Sequence, residues 1–183
     1  MATKTLLTIQ DYAALDEPPG VRYELSEGEL IVTPSSSSFH NRIRDHFNTR
    51  LWPFVEERKL GLVVSETDLI LAEAVVRRPD VAFIRADRLE GIDLDQSPLP
   101  VAPDLAIEIV SKNDRADDVM LKVRQYLEVG ALAVWLMYPK TGLAYRYIPG
   151  KLEPEVRSAD ARDKFDEPDL LPGFSLPLSD IFS

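Results

Sequence analysis

Two short apolar runs each hold a carboxylate, and this constrains the fold and chemistry of the chain more than any other feature. Arg77 to Ile84 contains Asp80, and Pro103 to Ser111 contains Glu108. Both runs read as short buried strands. Inside such a strand even a neutral polar group without a partner costs roughly 2–7 kcal/mol, and a charge costs more. Two acids on neighbouring strands can offset that cost by sharing a cation. Each also has an ordinary reading. Asp80 could be a turn acid that opens a strand, and Glu108 a buried acid paired with an arginine such as Arg115.

Residues two apart on a strand share a face. Glu108 therefore lies beside Ala106 and Val110, and small Ala106 leaves room in front of the carboxylate. Pro79 sets the entry of Asp80 into its strand. A divalent ion between the two acids would polarise a phosphoryl oxygen and acidify a bound water.

The rest of the composition narrows the choice of ion. The chain has no cysteine, which excludes disulfides, thiol catalysis and Cys-ligated metal. His40 and His46 are not spaced as the pair of a zinc-protease helix. The ion expected is thus a hard, oxygen-ligated one, Mg²⁺ or Mn²⁺. The 183 residues suit a single domain, 1–183, with a full core. No apolar stretch approaches the ~18–20 residues of a membrane span, and the N-terminus lacks the apolar core of a signal peptide. A cytoplasmic protein is expected. The formal net charge of −10 works against polyanion binding, which would need a local basic patch.

Local patterns give the order of elements. Residues 8–16 read as a short helix capped by Thr8. Val21 to Thr33 reads as a hairpin around Ser26-Glu27-Gly28. Phe39, Ile43, Phe47, Leu51, Phe54 and Val55 form the apolar stripe of a long helix capped by Ser38, kinked by Pro53 or broken there near its end, and closed by Gly61. Leu62 to Leu71 reads as one strand, followed by the Asp80 strand, a loop over 86–103 and the Glu108 strand. A helix over about 115–129 ends at Gly130. Two strands, 133–138 and 143–148, form a hairpin. The acidic, Pro-rich last 30 residues are expected to pack on the surface of the core. This order suits an α/β sandwich with a mixed, mostly central sheet.

A third candidate comes from the 115–129 helix. On a helical wheel Val119, Val123, Tyr126 and Leu127 form the buried stripe, and Lys122 falls at its edge. A snorkelling lysine would also explain that position. Glu24 and Glu29 flank the hairpin turn; either could supply a further ligand, and a solvated charge explains each as well. His40 suits a surface or capping role better than a phosphate contact. Arg42, Arg44 and Arg50, with Arg77, Arg78, Arg85 and Arg88, are the basic concentration of the chain.

Taken in order, Pro79-Asp80, Glu108-Ile109-Val110-Ser111, and Lys122 with Tyr126 and Gly130 before a Val-Trp-Leu strand resemble the Uma-type restriction endonucleases, a branch of the PD-(D/E)XK nuclease superfamily. The Tyr23 to Leu30 hairpin, the Pro34 to His40 stretch and Leu171 to Phe174 fit the same family. The resemblance implies a restriction-endonuclease-like core, with a central mixed β-sheet flanked by helices and an N-terminal hairpin. It implies a Mg²⁺-dependent endonuclease that hydrolyses DNA phosphodiester bonds, with Asp80, Glu108 and Lys122 catalytic and Asp80, Glu108 and Glu29 on the metal (Mg²⁺ or Mn²⁺). The expected partners are DNA, the divalent metal and a second copy in a homodimer, without a membrane. One departure matters: the superfamily places a lysine two residues after the second acid, where this chain has Val110. The resemblance implies that Lys122, on the next helix, has taken that role.

Two other readings compete. A non-catalytic interaction module on a nuclease-like core would suit the acidic charge and Pro-rich tail. A two-carboxylate glycosidase is poorly supported, because Lys122 would be idle and no aromatic sugar platform is evident.

Overall fold

The computed structural model describes residues 6–183; residues 1–5, part of the stretch read for a signal peptide, lie outside the described residues. Thr8 caps helix α1 (Ile9–Ala13) through a reciprocal box: its hydroxyl accepts from the Asp11 amide at 3.1 Å, and Asp11 accepts from the Thr8 amide at 2.9 Å. The hairpin follows as β1 (Val21–Ser26) and β2 (Glu29–Pro34). Glu27 and Gly28 at its turn both have positive φ, 52° and 81°, as a tight hairpin turn requires.

Helix α2 (Ser38–Glu57) buries Ile43, Phe47, Leu51 and Val55, the expected stripe. Its cap is Ser37, one residue earlier than the sequence suggested. Ser37 has the extended backbone of an N-cap, and its hydroxyl accepts from the His40 amide at 3.3 Å. Pro53 does not break the helix, which runs on to Glu57. Gly61 does not close it either. Arg58 is the C-cap, and Gly61 opens strand β3 (Gly61–Val64), where a Cβ would lie 2.0 Å from the Ile84 carbonyl. Close backbone approach is what demands glycine there.

The single strand expected over 62–71 is two. A break at Ser65–Asp68 separates β3 from β4 (Leu69–Ala72), with Glu66 in the left-handed region at φ 50°. β5 (Val75–Arg77) then pairs with β1, with Leu25 opposite Val76. The hairpin is therefore half of a four-stranded sheet ordered β2-β1-β5-β4.

The central sheet has six strands. They are β3, β6 (Val81–Arg85), β7 (Leu105–Ile109), β8 (Ala133–Tyr138), β9 (Leu143–Tyr147) and β10 (Glu155–Ser158), ordered β10-β9-β8-β7-β6-β3. Only β7 and β8 run parallel, joined through helix α3 (Ala116–Glu128); the other pairs are antiparallel. This is the expected mixed α/β architecture. One face packs Val81, Phe83, Ile107, Ile109 and Trp135 against the α2 stripe, and the other packs Ala82, Ile84, Ala106 and Leu136 with Val119, Val123 and Tyr126 of α3.

The tail is not a surface layer. It forms β11 (Lys164–Phe165), β12 (Leu176–Pro177) and α4 (Leu178–Phe182). Phe165, Leu171, Leu178 and Ile181 are fully buried in the α2-side core, where the Phe165 ring lies 5.1 Å from Phe47 and 4.8 Å from Trp135. Its many prolines and acids hide a widely spaced apolar set that only tertiary packing assembles.

Candidate active site

Asp80 lies one residue ahead of β6. Val81 pairs with Ile107 and Ala82 with Ala106, so one further step of the antiparallel register sets Asp80 opposite Glu108. Directly opposed residues share a face, with Cβ atoms roughly 4.5–5.5 Å apart. Asp80 also accepts from the Ile109 amide at 2.7 Å, which fixes it to the β7 end. Both acids are buried, Asp80 at 6% and Glu108 at 8% exposure.

Lys122 points at the same spot from α3. Its ammonium lies 3.4 Å from Glu108 Oε2 and 3.0 Å from Glu24 Oε1. Tyr126, one turn further along α3, donates its hydroxyl to Glu108 Oε1 at 2.8 Å. The spacing that made 119, 122, 123 and 126 neighbours on a wheel is thus what delivers a cation and a hydroxyl to one carboxylate.

The hairpin acid in this cluster is Glu24. Beyond Lys122, it accepts from Arg77 at 3.2 Å and from the Arg78 amide at 2.9 Å. Arg77 is itself buried; it also donates to Gln125 at 2.7 Å and to Ser26 at 2.9 Å. Glu29 sits at the turn end of the same hairpin, opposite Ser26 and partly exposed. On the other flank, His40 Nε2 at the start of α2 lies 3.1 Å from Asp80 Oδ2.

The structure thus brings Asp80, Glu108 and Lys122 together and adds Glu24, Tyr126, His40 and Arg77. Tyr126 reads from sequence as a core residue and His40 as a cap. Glu24, one of the two hairpin acids the sequence offered as a further ligand, alternates with buried Leu25 on β1 and shares the face of Ser26. Gln125, a polar residue adjoining an apolar stripe, is another signal of a buried polar cluster.

Electrostatics separate the acids. Burial pushes the Glu108 carboxyl up, and the negative charges of Asp80 and Glu24 outweigh enough of the Lys122 attraction to leave it at about 7. Burial also opposes ionisation of Glu24, but Lys122, Arg77 and the Arg78 amide win and hold it below the usual carboxylate range. Burial would lower the Lys122 pKa; Glu108 and Glu24 overcome this and keep it firmly charged. His40 likewise stands above its ordinary value, because the Asp80 hydrogen bond and charge outweigh burial. Among the described residues no group of three His, Asp or Glu side chains is assembled tightly enough to hold a metal ion by itself.

The model of the Uma2 family, described as "Putative restriction endonuclease", matches residues 9–179. The chain belongs to the Uma2 family. A solved structure described as a putative nuclease belonging to DUF820, from Anabaena variabilis ATCC 29413, is similar to this Uma2 member with a TM-score of 0.83. The likeness spans 96% of this chain and 97% of that one at 20% identity, and it speaks for the fold. No curated protein sequence matches significantly. Among the described residues of this Uma2 member, no helix is long and apolar enough to cross a membrane.

Proposed function

We propose that this chain is a metal-dependent endonuclease that hydrolyses phosphodiester bonds of DNA at the Asp80–Glu108–Lys122 cluster. One observation carries the reading: two buried acids stand across paired core strands, and an ammonium from the next helix faces the same point.

Asp80 and Glu108 would hold the ion, Mg²⁺ or Mn²⁺. They fit a hard cation, because their donors are carboxylate oxygens and Glu108 is pressed by neighbouring negative charge. A pair of carboxylates suits Mg²⁺, which keeps several waters and binds through one or two carboxylates plus substrate phosphate; Glu29 remains the proposed further acid from the hairpin. When bound, such an ion supplies Lewis-acid stabilisation of phosphoryl oxygens and acidifies a coordinated water. Lys122 is then placed to orient the attacking water and to offset charge that grows on the phosphoryl oxygens in the transition state. Glu24 is a positioning residue that steers the ammonium, with Arg77 fixing Glu24 in turn. Tyr126 orients Glu108, and His40 orients Asp80.

Incubation of the purified chain with supercoiled plasmid and Mg²⁺ tests this. Nicking that EDTA stops, and that Asp80→Ala and Lys122→Met each reduce at least about 100-fold, is expected. Absent nicking, or equal nicking by Asp80→Ala, removes the proposal.

A non-catalytic module on the same fold is the second reading. It is favoured by the internal pairing of Lys122 with Glu24 and Glu108. Calorimetric titration with Mn²⁺ separates the two, since binding that Glu108→Ala abolishes speaks against the module.

A further inference from the structure

With a net charge of −10, a nucleic-acid substrate needs a local cationic contact beside the reacting site. Several arginines are already paired elsewhere. Arg77 is committed to Glu24, Arg78 to Asp68 and Glu17, and Arg146 to Glu167 and Glu155. Arg85 and Arg88 share Asp104, at the far end of the β6–β7 pair from Asp80, and that carboxylate is itself buried.

A different arrangement lies at the Asp80 end. Arg22 of β1 and Arg44 of α2 converge on one carboxylate oxygen, Oε1 of Glu66, with Arg44 at 2.5 Å. Arg44 also meets Asp45, which is largely exposed. Glu66 belongs to the break between β3 and β4, has positive φ, and donates its amide to the Pro79 carbonyl at 3.1 Å. It is therefore one backbone hydrogen bond from the residue preceding Asp80. The Glu66 side chain is 28% exposed, unlike that of Asp104 at 2%. On α2, His40, Asn41 and Arg44 fall on one face, and His40 Nδ1 and Asn41 Oδ1 are buried without a hydrogen-bond partner. Arg22 bears electrostatically on His40 as well.

We infer that Arg22 and Arg44 form a subsite for a backbone phosphate of the nucleic-acid strand next to the scissile bond, and that Glu66 occupies it in the free chain. A carboxylate between two guanidinium groups presents oxygen acceptors as a phosphodiester does. An incoming phosphate displaces the partly exposed Glu66 from the two arginines. The inference rests on the nucleic-acid reading of the neighbouring cluster.

Fluorescence anisotropy of a labelled DNA duplex in EDTA, over a salt series, reads binding without cleavage. Glu66→Gln should tighten binding about 3-fold or more. Glu57→Gln removes the same charge some 20 Å further along α2, at about 1.5 Å per residue, and should change it much less. Arg44→Gln should weaken binding about 10-fold and reduce the salt slope by about one. The gain in Glu66→Gln cannot come from misfolding. If Glu66→Gln binds no better than Glu57→Gln, if Arg44→Gln keeps the parental slope, or if the parent chain does not bind, the subsite is refuted. A chain that binds in the expected way but never nicks DNA refutes the hydrolysis instead.

Discussion

Lys122 stands closer to Glu24 than to Glu108: its ammonium is 3.0 Å from Glu24 Oε1 and 3.4 Å from Glu108 Oε2. The residue that aims the ammonium thus comes from the N-terminal hairpin, distant in sequence from the acids it serves. Glu24→Gln should leave substrate binding nearly unchanged and lower kcat by about 10–100-fold, the range found when a group supporting a site residue is lost. Steady-state cleavage kinetics check this. A change confined to KM would show that Glu24 does not act through Lys122.

The raised Glu108 carboxyl predicts a pH dependence of stability. It titrates at about 7 in the folded chain, against an ordinary value of 4.5. Between those values the folded state holds a proton that the unfolded state has lost. The contribution is fully present below about 4.5 and disappears as pH rises through about 7, with a slope of up to about 1.4 kcal/mol per unit. His40, also raised, adds a loss of the same sign as pH rises through its folded value. Urea unfolding across this range should show stability falling with pH, and a shallower fall for Glu108→Gln. Parallel curves for the two proteins would count against the assignment.

The same carboxyl predicts proton release on metal binding. An ion held by Glu108 requires the carboxylate, so binding below pH 7 must expel a proton. Titrations with Mn²⁺ in buffers of different ionisation enthalpy should show release near pH 6 that fades by pH 8. No buffer dependence at the lower pH would mean that Glu108 is not a ligand.

Arg77, besides holding Glu24, predicts an effect on stability. It is buried and joins Glu24, Ser26 and Gln125, tying β5 to β1 and α3. Removing one partner of a buried pair costs about 3–5 kcal/mol. Arg77→Ala should lower the urea midpoint by a corresponding amount; a midpoint within error of the parent would contradict the buried network.

How much of this was legible in the sequence depended on the range of the interactions. The strands of Asp80 and Glu108 and the helix of Lys122 show in local periodicity, because burial on one face imposes a repeat of 2 or 3.6 residues. The apolar stripe of α2 was legible for the same reason. Strand β5 was not: three residues carry no period, and their pairing with β1 crosses some 50 positions. The place of Glu24 beside Lys122 depended on that pairing, since β5 brings Arg77 to Glu24. His40 looked like a cap because nothing local shows that the first turn of α2 reaches Asp80.

Packing of the tail was equally hidden from local pattern. Phe165 is fully buried between Phe47 and Trp135, yet it stands alone among charged residues in the sequence. Phe165→Ala should cost about 3–5 kcal/mol, measured by thermal or urea unfolding. A loss below about 1 kcal/mol would fit the surface layer that the sequence suggested.

The proposed site requires the side chains of Asp80 and Glu108 to hold a divalent ion together, beside the Lys122 ammonium. A crystal soaked in Mn²⁺ and measured at the manganese absorption edge tests it most directly. An anomalous peak is expected between the carboxylates of residues 80 and 108, lost in Glu108→Ala. A soaked crystal with no peak there, or with manganese bound only elsewhere, would contradict it.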